Sequence, residues 1–118
     1  IYAPKKMSYE TFIHNTSIGT STMIMERAIS KGFYFTNTPI CEDYFFKCQI
    51  LKKVKEGHCL NKFLTRYKIR KDSLQSSKIK NFYWMWRINK DFNKLNIVQN
   101  LRSLFFISLN SIKKYGLK

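Results

Sequence analysis

Two carboxylates stand side by side at Glu42-Asp43, in a chain with only seven acidic residues against 22 lysines and arginines. They open a helical pattern, just after the turn at Pro39. Such a pair has two readings. As a charged helix N-terminus, each group stabilises by about 0.3–1 kcal/mol. As chemistry, a helix start and a basic surround keep a carboxylate ionised and able to take a proton, the work of a general base. Spacing alone favours the first. Of the other reactive types, Cys41, Cys48 and Cys59 are odd in number and lack CxxC spacing, which reads as free thiols in a reducing compartment. His14 and His58 complete no ligand pattern and read as structural, so no metal site is expected.

The elements that would position these groups follow from periodicity. Ser8 caps a short helix through Ile13, and Ile18–Met25 alternates like a strand. Glu26–Lys31 forms a helical turn stopped by Gly32, and Phe33–Thr36 is a second extended segment. Cys41–Val54 has a helical period, with Tyr44, Phe45, Cys48, Ile50 and Leu51 on its apolar side and its lysines mostly elsewhere. Asn61–Arg70 returns to alternation, with Phe63, Thr65, Tyr67 and Ile69 on one face. A polar loop leads into helices over Ser77–Phe92 and Asn96–Tyr115. Their apolar stripes, Ile79, Phe82 and Trp86 on one and Leu101, Phe105 and Ile112 on the other, are read as packing the two together, with their basic and aromatic faces lying on an anionic membrane as the alternative. The fold class is α+β and helix-rich, with two or three short strands and two long C-terminal helices.

The 118 residues make one domain at most, and 44% hydrophobic with 16% aromatic content excludes a disordered segment. A net charge of +15 points to anionic partners: nucleic acid, an acidic membrane surface or phosphorylated substrates. AT-rich codon usage is the alternative source of so many lysines. No apolar run approaches the length of a membrane span. The start at Ile1 rather than methionine suggests an excerpt from a longer polypeptide.

The order of the pieces carries more than any one of them. Gly19-Thr20-Ser21-Thr22-Met23-Ile24-Met25 precedes Arg27; then come Cys41-Glu42-Asp43-Tyr44, a helix, a segment ending Arg66-Tyr67-Lys68-Ile69, and Asp72-Ser73-Leu74. From about Ser8 to Tyr115 this resembles the C-terminal half of bacterial family 2 glycosyltransferases (GT-A type, inverting), including those of teichuronic acid and polysaccharide biosynthesis. The resemblance implies that Asp43 is the catalytic base, removing the acceptor hydroxyl's proton as a nucleoside diphosphate departs. It places Glu42, Thr20, Ser21 and Thr22 on the acceptor side, the three hydroxyls on a strand flooring the site. Arg70, Ser73 and Lys78 become candidate diphosphate contacts, with a solvated basic loop as the other reading. Residues 1–76 would be the acceptor-side, base-bearing portion and 77–118 a pair of basic amphipathic helices.

Departures from the family pattern limit what this piece does alone. No D-x-D motif occurs, and Lys68 stands where arginine is common, weakening a bidentate phosphate contact. The resemblance thus implies an inactive fragment without a cofactor of its own, belonging to an enzyme that uses Mn or Mg, a nucleotide-sugar donor and a glycan or lipid-linked acceptor. The implied location is cytoplasmic, peripheral on the inner face of the membrane, and exposed apolar surface suggests a homodimer. The alternative is a basic module that binds nucleic acid or a membrane surface without catalysis. Nucleic acid is disfavoured, because no helix-turn-helix, RNP-type or zinc-finger signature appears.

Overall fold

The computed structural model describes residues 3–35, 38–66, 68 and 77–116. Its organising element is a helix over Glu42–Val54, numbered α3 below, which buries Tyr44, Phe45, Phe46, Lys47, Cys48, Ile50 and Leu51. A helix buried on most of its circumference lies at the centre of its domain. Glu42 and Asp43 occupy its first turn and Lys52 and Lys53 its last, so both ends complement the macrodipole.

The N-terminal segment packs on this helix. Strand β1 (Lys6–Ser8) leads directly into α1 (Tyr9–Phe12), and the Ser8 hydroxyl accepts the Thr11 N–H at 3.2 Å. Phe12 is buried and stacks on Tyr44 with ring centroids 5.5 Å apart. After α3 the chain turns through Lys55 into β2 (Glu56–His58), which pairs antiparallel with β1, Met7 opposite Gly57. Between α1 and α3 lies the short helix α2 (Arg27–Ser30), ended near Gly32, whose φ of 88° suits a glycine.

The C-terminal part holds α4 (Lys78–Arg87), a π-helical turn (Ile88–Phe92) and α5 (Ile97–Tyr115). Ser77 caps α4, and Asn96 with Gln99 forms a capping box on α5. The wide π turn brings Ile88 and Asn89 into the interior together.

The helix-rich α+β class holds, but the strands are elsewhere than the alternation suggests. Ile18–Met25 is not a strand: Thr20–Thr22 is a 3-10 turn, and Ile24 is 98% exposed. A strand needs a partner for its backbone groups, and among the described residues β1 and β2 pair only with each other. For the same reason residues 33–35 and 61–66 are irregular. Thr36, Tyr67, Ile69 and Arg70 lie outside the described residues. The expected packing of α4 on α5 through their stripes is also corrected: Ile79, Phe82, Leu101, Phe105 and Ile112 are exposed. Polar side chains, described next, share the inner side with Leu104, Trp84 and Met85.

Candidate active site at the start of α3

Asp43 receives two side-chain hydrogen bonds on one oxygen. Lys47 Nζ donates to Oδ2 at 2.7 Å from one turn along α3, and Thr20 Oγ1 donates to the same atom at 2.9 Å from the 3-10 turn. The Lys47 side chain is 5% exposed and that of Asp43 29%, so the cation is withdrawn while the carboxylate faces outward. Burial alone would raise the Asp43 pKa. The Lys47 bond and charge, with help from Thr20 and the Tyr44 backbone, outweigh it and hold the carboxyl below the ordinary carboxylate range.

Asp43 opens onto a shallow depression of about 500 Å³ lined by Thr20, Phe35, Glu42 and Asp43. Phe35 forms one wall, held by stacking on Phe46 at 4.6 Å. Cys41, just before the pair, takes a left-handed backbone (φ 63°), and its buried thiol lies 3.9 Å from the Asn81 carbonyl oxygen. Burial, then the charges of Asp43 and Glu42, push that thiol up to about 11, so it stays protonated. Cys48 is likewise a buried free thiol, and Cys59 is free and half-buried.

A buried polar network fixes the far side of α3. Tyr44, next to Asp43 in sequence, donates to Asn89 Oδ1 at 2.8 Å, and Asn93 Nδ2 donates to the same oxygen at 3.1 Å. Asn89 Nδ2 in turn reaches Asn100 Oδ1 at 3.1 Å and Ser103 Oγ at 3.2 Å. Ser103 donates to the Ile13 carbonyl, and Asn100 to that of Trp86. Five segments are thereby tied together: α3, α4, the π turn, α5 and the end of α1.

Of the site residues read from sequence, the structure gathers Asp43, Glu42 and Thr20 around one depression. The strand expected to carry the hydroxyls is a turn, and Thr22 spends its hydroxyl on the Gly19 carbonyl at 3.1 Å. Ser21 is exposed in the same turn. Lys78 lines a different depression, on α4 with Ile79, Phe82, Tyr83 and Trp86. Arg70 and Ser73 lie outside the described residues. Sequence reasoning missed Lys47, reading it as one of the lysines off the apolar side; its i,i+4 spacing from Asp43 was the available signal. The asparagine network gave no periodic signal. Among the described residues no cluster of three His, Cys, Asp or Glu could hold a metal ion. A divalent ion implied by the resemblance therefore finds no donor set in them.

The arrangement is an ionised proton acceptor on an open rim, and the resemblance to glycosyltransferases extends over nearly the whole chain. The Bacillus subtilis (strain 168) protein TuaG, named as a teichuronic acid biosynthesis glycosyltransferase, is 24% identical over 114 residues, 97% of this chain and 45% of its own length. The Escherichia coli UDP-Glc:alpha-D-GlcNAc-diphosphoundecaprenol beta-1,3-glucosyltransferase WfgD is 28% identical over 112 residues, 93% of this chain and 42% of its own length. The chain thus spans less than half the length of these curated relatives. No protein-family model and no solved structure matches it.

Proposed function

We propose that this chain is the acceptor-side part of an inverting, family 2-like glycosyltransferase that transfers a sugar from a nucleotide-sugar donor to a saccharide or lipid-linked acceptor in cell-surface polysaccharide biosynthesis. The observation that carries the reading is Asp43, kept ionised by Lys47 and Thr20 at the rim of an open depression. An acceptor hydroxyl is too weak an acid to attack unaided. A positioned carboxylate that takes its proton as the new C–O bond forms is worth about 10²–10⁴-fold in rate. Phe35 offers an apolar wall for a sugar's C–H face, and Glu42 a second carboxylate to orient its hydroxyls.

In this reading residues 1–76 present the base and the acceptor surface, and residues 77–118 brace them through the asparagine network. Donor diphosphate, and the Mn or Mg that would clamp it, are held by parts of a longer enzyme, with Arg70, Ser73 and Lys78 as this chain's candidate contributions. The chain alone is then inactive, and the enzyme works at the cytoplasmic face of a membrane.

The test begins with the DNA upstream of Ile1. An in-frame nucleotide-binding half with a D-x-D motif would supply the enzyme to assay against a panel of nucleotide sugars. Asp43→Asn in that polypeptide is expected to lower transfer by about 10²–10⁴-fold. A stop codon or an unrelated domain in that frame would overturn the reading.

A further inference from the structure

Helix α5 is turned inside out relative to an ordinary surface helix. Its polar residues face the protein: Asn100 and Ser103 join the buried network, Asn110 Nδ2 donates to the His14 carbonyl at 3.0 Å, and Lys114 Nζ donates to Asn15 Oδ1 at 3.1 Å. Leu104 is buried, but a stripe of the helix's other apolar residues faces away. Val98 is 73% exposed, Leu101 55%, Phe105 59% and Ile112 42%. At about 100° per residue these four, with Leu109, fall on one stripe running the length of the helix. Such a contiguous apolar surface marks an interaction site.

The charge beside the stripe says what covers it. By the same geometry Arg102 and Lys113 flank it on one side, and α4 and α5 each carry three lysines or arginines with no Asp or Glu. A second copy would bring cation against cation in a chain of net charge +15. An anionic lipid surface satisfies both features, apolar residues entering the acyl boundary and cations meeting the headgroups. No helix among the described residues is long and apolar enough to cross a membrane. We propose that α5 docks flat on an anionic bilayer through Val98, Leu101, Phe105, Leu109 and Ile112, with Arg102 and Lys113 at the headgroups. This does not rest on the glycosyl-transfer reading.

Flotation of the 118-residue chain with vesicles tests it, comparing phosphatidylglycerol in phosphatidylcholine with phosphatidylcholine alone. The chain is expected to partition at least about 10-fold more strongly to the anionic vesicles, with measurable binding surviving at about 0.5 M salt, where surface charge is largely screened. Leu101→Ser with Phe105→Ser, at exposed positions, is expected to leave the circular dichroism unchanged and to lower partition at least about 10-fold. Three results would overturn the proposal. Binding lost entirely at high salt means adsorption by charge alone. An unchanged double variant means the stripe is not the contact. A dimer that the double variant converts to monomer, with lipid binding unaffected, means a second copy covers it.

Discussion

Lys47 lies one helical turn after Asp43 and reaches its Oδ2 at 2.7 Å from a nearly buried position. The pair inverts the usual surface ion pair, in which the lysine extends into water. Here the carboxylate looks outward and the cation supports it from beneath. An aspartate so supported is ionised near neutral pH, as a base must be.

The support can be removed separately from the base. Lys47→Met keeps the stem's volume but leaves Asp43 partly buried without its counter-charge. The expected result is an Asp43 pKa raised toward or above the ordinary carboxylate value, and a loss of about 1–2 kcal/mol in stability, less than for a fully buried pair because Asp43 is partly solvated. Carboxylate titration followed by NMR, with denaturant unfolding, checks both.

Acid stability follows with a fixed sign. Because the folded pKa of Asp43 is depressed, its contribution is fully present above the unfolded carboxylate pKa and is lost as pH falls through the lower folded value. Asp43→Asn is therefore expected to flatten the acid limb of the thermal midpoint's pH profile while leaving its shape near neutrality unchanged. An identical acid limb in both proteins would show that Asp43 is not held as described.

Asn89 is fully buried and holds Tyr44, Asn93, Asn100 and Ser103 at once. Asn89→Ala strands several of these partners, each unsatisfied group costing about 1–3 kcal/mol, so a total loss of about 3 kcal/mol or more is expected in denaturant unfolding. Ser103→Ala removes two bonds, the one from Asn89 Nδ2 and the one to the Ile13 carbonyl, and is expected to cost about 1–3 kcal/mol.

Lys55 ends α3 with φ 68° and ψ −52°, a backbone unfavourable for a side-chain-bearing residue. Lys55→Gly is expected to stabilise by about 0.5–1 kcal/mol, the relieved strain exceeding glycine's greater unfolded entropy. A thermal midpoint raised by a few degrees would register it.

The sequence by itself determined the helices and the acidic pair. Ser8 and Asn96 cap where their hydrogen-bonding side chains precede helical patterns, and Glu42-Asp43 begins α3 where the period changes, because these are local preferences that need no partner. Strand positions were not legible. Alternation at Ile18–Met25 and Asn61–Arg66 describes a side-chain pattern, whereas a strand exists only when another chain segment takes its hydrogen bonds. That partner was available at Lys6–Ser8 and Glu56–His58, three residues each, too short to show a period. Burial inverted for a similar reason. Periodicity says which face of α5 is apolar but not which face meets the protein, and the network around Asn89 turned the polar face inward. Lys47 stands i,i+4 from Asp43, a local spacing, whereas Thr20 became the second donor only when the 3-10 turn was folded against the start of α3, a contact across 23 residues of chain that no local preference encodes.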